Sequence, residues 1–288
     1  MNYSEAATTF TCAGETLVGI LARPETAGST GIVIIVGGPQ YRAGSHRQFV
    51  LLARALAAAG YPALRFDYRG MGDSEGEQRD FQGVSADINS ALTQLQHVCP
   101  SVENVVLWGL CDAASAALLY CHAHQPNRVT GLCLVNPWVR STASLARTRV
   151  KHYYVKRLGQ KEFWLKLLSG KVATGALSHL WRNIQQARSS PVNASAGAPV
   201  SGLLFQTRMA KAWDGFAGGI LLLLSEDDYT AKEFLEYAKT DDAWSRAFDH
   251  QRLVRLELPG ADHTFSHEGA RRLAEGRTLN WLDSNAKN

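Results

Sequence analysis

Three side chains of types able to perform acyl transfer stand where apolar runs end: Cys111, a carboxylate of the stretch Glu226-Asp227-Asp228, and His263. Val105 to Leu110 reads as a strand, and the small-residue run Ala113 to Cys121 reads as a helix. Between them Gly109-Leu110-Cys111-Asp112-Ala113 predicts a sharp turn with the thiol at its apex. So tight a turn needs small residues two positions before and two after the apex, and Gly109 and Ala113 meet that need. The helix that follows aims its positive dipole end at the sulfur, which favours thiolate over thiol. Taken alone, Cys111 reads equally well as an ordinary small buried residue. Thiol activation needs a base within hydrogen-bond reach and an acid to orient that base. The chain supplies both further on, each after an apolar run: the acidic stretch after Ile220–Leu224, and His263 after Arg252–Leu258. The order nucleophile, acid, histidine is the one that such a strand–turn–helix site requires.

An oxyanion developing at the attacked carbonyl needs N–H donors. One is expected from the amide of Asp112, directly after the nucleophile. The other is expected from Gly37-Gly38-Pro39-Gln40, the stretch after Gly31–Val36. Pro39 has no N–H, so Gly38 is the first candidate and Gln40 the alternate. Asp112 also sets a carboxylate beside the nucleophile, which opposes thiolate formation unless a cation neutralises it. Arg42 and Arg47 are the candidate cations, and His46 the neighbouring candidate for substrate contact.

These residues must be held by a sheet. Gly31–Val36, Ala63–Asp67, Val105–Leu110, Val129–Val135 and Ile220–Leu224 read as strands, most of them apolar runs of the kind buried strands show, and Arg252–Leu258 reads as the last strand. Helical stretches are expected over Ser45–Ala59, stopped by Gly60, over Val84–Cys99, from Ala113 to Cys121, from Ala231 to about Phe248, and over Ser266–Leu282. The alternation predicts an α/β fold with a mostly parallel sheet and helices on both faces. A hairpin, Ala6–Cys12 and Glu15–Arg23 around Ala13-Gly14, adds an antiparallel edge. Residues 137–219 break the alternation with helix-like pieces, among them Pro199–Trp213, and read as a helical cap inserted between core segments 1–136 and 220–288.

The elbow resembles that of α/β-hydrolases, with Cys in place of Ser as in dienelactone hydrolases. Asp67-Tyr68-Arg69-Gly70-Met71-Gly72-Asp73-Ser74 is similar to the Asp-x-Arg-Gly-x-Gly-x-Ser loop common in that fold, and Arg69 is expected to pair with a local carboxylate. The stretch from Gly37 to Phe49, the elbow from Trp108 to Asp112, and Ser225 to Ala231 resemble the exosortase A system-associated hydrolases, bacterial proteins from exopolysaccharide and protein-sorting loci. The resemblance implies an α/β-hydrolase fold with a helical cap and a Cys-Asp-His site, and no known substrate. Comparison with related hydrolases puts Asp228 first as the acid, Asp227 next and Glu226 third. Asn136 stands where some relatives carry their acid, and an amide cannot stabilise an imidazolium by charge.

Length and composition fit this reading. The 288 residues carry 45% hydrophobic and 19% charged side chains and a net charge of only +4, which does not indicate a nucleic-acid binder. The five cysteines are odd in number and lack paired metal-type spacing, so no metal or other cofactor is expected. Cys12, Cys99, Cys121 and Cys133 read as structural. The start of the chain shows no basic region followed by an apolar stretch, and no apolar run is long enough to span a bilayer. A cytoplasmic location is expected on these grounds. Between Val139 and Ala212 there are 13 Lys or Arg residues against Glu162 alone. Such a segment reads either as a solvated cap face or as a contact for the anionic inner membrane surface or an acyl carrier conjugate. The expected activity is hydrolysis of an ester, thioester or lactone of a small acyl substrate. Acyl transfer through the same cysteine, and a non-catalytic binding protein on this fold, are the alternatives.

Overall fold

The computed structural model describes residues 3–38, 40–140 and 203–285. Two long strands, β1 (Tyr3–Cys12) and β2 (Glu15–Pro24), open the chain as a hairpin. The two residues between them, Ala13 and Gly14, both take positive φ, the tight-turn geometry that matches the twist of paired strands. There follow β3 (Thr30–Ile35), α1 (Gln48–Ala58), β4 (Ala63–Phe66), α2 (Ser85–Val98), β5 (Asn104–Leu110), α3 (Asp112–His124) and β6 (Val129–Val135). After the undescribed stretch come α4 (Phe205–Asp214), β7 (Gly219–Ser225), α5 (Tyr229–Thr240), β8 (Leu253–Leu258) and α6 (Glu268–Asn285).

All eight strands form one sheet in the order β1-β2-β4-β3-β5-β6-β7-β8. Pairing is antiparallel through β1, β2 and β4, and parallel from β4 to β8. Period-two alternation sends Val33, Ile35, Val105 and Leu107 to one face and Ile32, Ile34, Val106 and Trp108 to the other. The first face is covered by α2, α3, α4 and α5, and the second by α1 and α6. Both faces are therefore dry, which is why these strands are apolar throughout rather than alternating. Five neighbouring parallel strands, β3, β5, β6, β7 and β8, end on the same edge. Their exits carry Gly38, Cys111, Asn136, Asp228 and His263 respectively.

Boundaries differ from the sequence reading in three informative places. Helix α1 starts at Gln48 because Gly44, His46 and Arg47 all take positive φ, so Ser45–Arg47 forms a single tight turn first. Helix α5 starts two residues earlier than expected because the Asp228 carboxylate accepts the Thr230 N–H and caps it. Helix α6 starts at Glu268, since Asp262 already accepts the N–H groups of Thr264 and Ser266 in the preceding loop.

Most of the expected cap lies outside the described residues, as do ten of its basic side chains. Its described C-terminal part, α4, belongs to the core layer. Met209 and Trp213 are buried there, and Trp213 and Trp244 meet edge to face with ring centres 5.6 Å apart. Both indoles also donate to backbone carbonyls, Trp213 to Ala247 and Trp244 to Gln206. Among the described residues no helix is long and apolar enough to cross a membrane.

Candidate active site

Cys111 leaves β5 with φ 64° and ψ −125°, a conformation that costs a non-glycine residue about 1–3 kcal/mol. The surroundings over-determine it. The Cys111 N–H donates to the Val135 carbonyl at 2.9 Å, and the Cys111 carbonyl accepts from Ala114 and from Trp138. Gly109 is required at this turn: a Cβ there would lie 2.6–2.7 Å from backbone atoms of Ala113 and Ala114. The side chain of Cys111 is only partly buried, whereas Cys12, Cys99, Cys121 and Cys133 are buried free thiols. Burial pushes the Cys121 thiol up to about 12 and Cys133 higher still, so both stay protonated and inert.

His263 sits in the loop between β8 and α6. Its Nδ1 lies 2.7 Å from Asp228 Oδ2, and its ring is also in hydrogen-bond contact with the Cys111 side chain. These two bonds outweigh burial and raise the imidazole from 6.5 to about 10. At neutral pH the ring is then an imidazolium beside the sulfur, the type of neighbour that activates a thiol. Asp228 is 4% exposed and divides its oxygens between two tasks, Oδ1 capping α5 at 2.8 Å and Oδ2 facing the imidazole. The other two carboxylates of the stretch point elsewhere. Glu226 accepts the Gly260 N–H, and the exposed Asp227 is tied down only by its backbone, which donates to Ala261. Asn136 is buried and braces the ends of β6 and β7: its amide donates to the Ser225 hydroxyl and accepts the Ser225 N–H.

On the opposite side, Gly37 and Gly38 press against the elbow. A Cβ on Gly37 would stand 2.4 Å from Asp112 Oδ1 and 2.5 Å from the Leu110 carbonyl oxygen, so only glycine fits. Gly38 donates its N–H to Asp112 Oδ1 at 2.7 Å. The backbone amides at the start of α3 also favour the ionised form of this carboxylate. Burial nevertheless leaves its acidity weakened, because desolvation outweighs those amides and the nearby His263 charge.

The expected cation for Asp112 is a correction. Neither arginine reaches it. Arg42 is committed to Asp67, through its backbone N–H and its guanidinium, and to Asp73. Arg47 is exposed on the left-handed turn before α1 and has no ion pair among the described residues. Backbone amides at the start of α3 do the neutralising instead, since they already lie within reach of a first-turn carboxylate. His46 is exposed on the same turn as Arg47. The Gln40 side chain accepts the Ser45 N–H and shapes this loop.

The loop after β4 is a scaffold. Asp67 is buried and holds both Arg42 and the Asp73 N–H, while Arg69 forms a buried two-pronged pair with Asp87. Two nearby features had no counterpart in the sequence reading. Ser115 and Trp138 exchange hydrogen bonds through the serine hydroxyl, fixing the chain that leaves β6 against the nucleophile's carbonyl. The Tyr68 hydroxyl is fully buried, has no hydrogen-bond partner among the described residues, and feels the Asp112 and Asp87 charges, which with burial raise it far above the usual phenol range. Nothing local marks either feature: Trp138 lies three residues beyond the end of β6, and the isolation of the Tyr68 hydroxyl arises only in the folded loop. Among the described residues no three His, Cys, Asp or Glu side chains gather as a metal site.

Comparison with known proteins agrees with this architecture. Among curated proteins none matches the chain. Its solved structural neighbours include the Pyrococcus furiosus esterase Pf2001, at 12% identity and a TM-score of 0.64 over 98% of this chain and 93% of that one. Est1E from Butyrivibrio proteoclasticus, with ferulic acid bound, aligns at 16% identity and a TM-score of 0.63 over 98% of this chain and 100% of its own. The alpha/beta hydrolase GrgF from Penicillium sp. sh18 aligns at 18% identity and a TM-score of 0.62 over 99% of each chain. At such identities these neighbours speak to the fold. The family described as serine aminopeptidase, S33, matches residues 28–232, which spans the elbow and the acidic stretch. The chain therefore belongs to the serine aminopeptidase S33 family and has the α/β-hydrolase fold.

Proposed function

We propose that the protein hydrolyses an ester, thioester or lactone through an acyl-thioester on Cys111, with His263 as base and then acid and Asp228 as the group that orients it. The observation that carries this reading is the chain of contacts from Asp228 through His263 to the Cys111 side chain. The family's description names a serine; this chain has Cys111 at the apex, so the nucleophile is part of the proposal. The sulfur attacks the acyl carbon, its proton resides on the imidazole, and the tetrahedral oxyanion is met by backbone N–H groups of the elbow and of the Gly38 loop. Collapse breaks the carbon–oxygen or carbon–sulfur bond of the substrate, and the leaving group takes the imidazole proton. Water then adds to the acyl-thioester, the imidazole accepts its proton, and the thiol and free acid are released. Esters and thioesters suit this chemistry better than amides, because from that intermediate a thiolate leaves more readily than an amine.

The similarity to exosortase A system-associated hydrolases supports a role beside exopolysaccharide or protein-sorting chemistry. The basic segment between Val139 and Ala212 supports contact with an anionic inner membrane surface or an acyl carrier conjugate. Intact-mass analysis after exposure to a panel of acyl esters and thioesters tests the core of the reading. An acyl adduct on Cys111, absent from Cys111→Ala, is the expected result. A folded protein that forms no adduct and releases no acid with any panel member overturns it. Adding alcohols during turnover distinguishes hydrolysis from transfer by whether ester product replaces free acid.

A further inference from the structure

The Gly38 amide, one of the two expected to receive the oxyanion, donates to the Asp112 carboxylate at 2.7 Å, and that carboxylate belongs to the residue that carries the other amide. The side chain of the residue after the nucleophile has folded back into the place where negative charge would develop. Gly37 fits so closely under this carboxylate that the contact is built into the loop.

We propose that the Asp112 carboxylate occupies the oxyanion pocket of the resting enzyme and gates it, so that only an acyl substrate anchored elsewhere in the site can displace it. This rests on the Cys111 reading above and adds a specificity determinant to it. The physical argument is competition. An ionised carboxylate accepts stronger hydrogen bonds than a neutral carbonyl, so a ground-state ester cannot take the amides from it. The transition-state oxyanion carries comparable charge and can, but the carboxylate must then be moved. Binding energy from remote parts of the substrate is what drives such a displacement. Small acyl donors lack those parts and are selected against. The groups facing the carboxylate agree with an occupant held in balance. The Gly38 N–H, the amides at the start of α3 and the His263 charge favour its ionised form, while burial does not.

The test compares wild type, Asp112→Asn and Asp112→Ala on p-nitrophenyl acetate, a small neutral donor, and on the longest p-nitrophenyl ester that the wild type accepts. Removing the charge should raise kcat/KM for the acetate by about tenfold or more, the factor tied to one charge-assisted hydrogen bond. The gain on the long ester should be smaller, so the long-to-short preference narrows. An aldehyde that adds to the thiol, placing its oxygen in the pocket, should inhibit both variants more tightly than wild type. Melting curves check that the variants are folded. If both folded variants lose activity on short and long esters alike while iodoacetamide still labels Cys111, the carboxylate positions the loop and the gate is overturned, with the cysteine reading intact. If wild type itself forms no acyl adduct, it is the cysteine reading that fails.

Discussion

Two arms of the site meet Cys111, and they are built differently. In the arm from β7 and β8, each polar group faces a partner that suits proton transfer: Asp228 faces His263, and His263 faces the thiol. In the arm from β3, the donors are also in place, but a side chain of the elbow fills them. The first arm uses buried charge to hold a ring in one orientation. The second uses glycine and close backbone approach, and its charge sits where a substrate atom must come. On the Cys111 reading, proton handling is assembled before substrate arrives, whereas one of the oxyanion donors is already engaged.

The contrast can be broken at either arm. The largest expected effect is on the first: His263→Ala should slow acyl-enzyme formation by about 10²–10⁴-fold, read from the burst phase at a temperature where the variant is folded. An unchanged rate would leave this arm without a role in the chemistry. Next is Asp67→Ala beneath the second arm. It leaves Arg42 only its pair with the exposed Asp73 and frees the Asp73 N–H, and breaking a pair with a buried carboxylate should cost about 3 kcal/mol or more in chemical denaturation. A loss under about 1 kcal/mol would show that the loop does not depend on that carboxylate.

A third test sharpens the comparison by pH. The imidazole of His263 is raised in the folded protein to about 10 from 6.5, so the folded state holds the extra proton. The stability it contributes is complete below about pH 6.5 and is lost as pH rises through about 10. The stability gap between wild type and His263→Asn should therefore shrink from about pH 6 to about pH 10 in urea titrations; a gap that widens contradicts the assignment. The smallest effect is expected at Tyr68, where Tyr68→Phe removes a buried hydroxyl with no partner among the described residues. Its stability should change by no more than about 1 kcal/mol, toward greater stability. A clear loss would reveal a partner for that hydroxyl in the working enzyme.

How much of this could be read from the chain alone follows from the range of each interaction. The wrapped sheet was legible because strands dry on both faces leave unbroken apolar runs, and the elbow because its sterics demand Gly109 and Ala113 at fixed offsets. The α4 helix was assigned to the cap because nothing local tells a helix that packs Trp213 against Trp244 from one that covers a pocket. The partner of Asp112 was misjudged for a related reason. A sequence displays charged side chains and so points to arginines, while the backbone amide that serves the carboxylate is invisible in it. Arg42 is drawn away by Asp67, a competitor that only the folded loop brings alongside.

The double duty of Asp228 has a further consequence. The oxygen that starts helix α5 and the oxygen that aims His263 belong to one carboxylate, so the first turn of that helix and the orientation of the ring cannot come apart independently. On the Cys111 reading, a molecule frayed at that turn would lose the aim of its base and go silent rather than indiscriminate, so local damage near β7 would lower the number of working copies and not their selectivity.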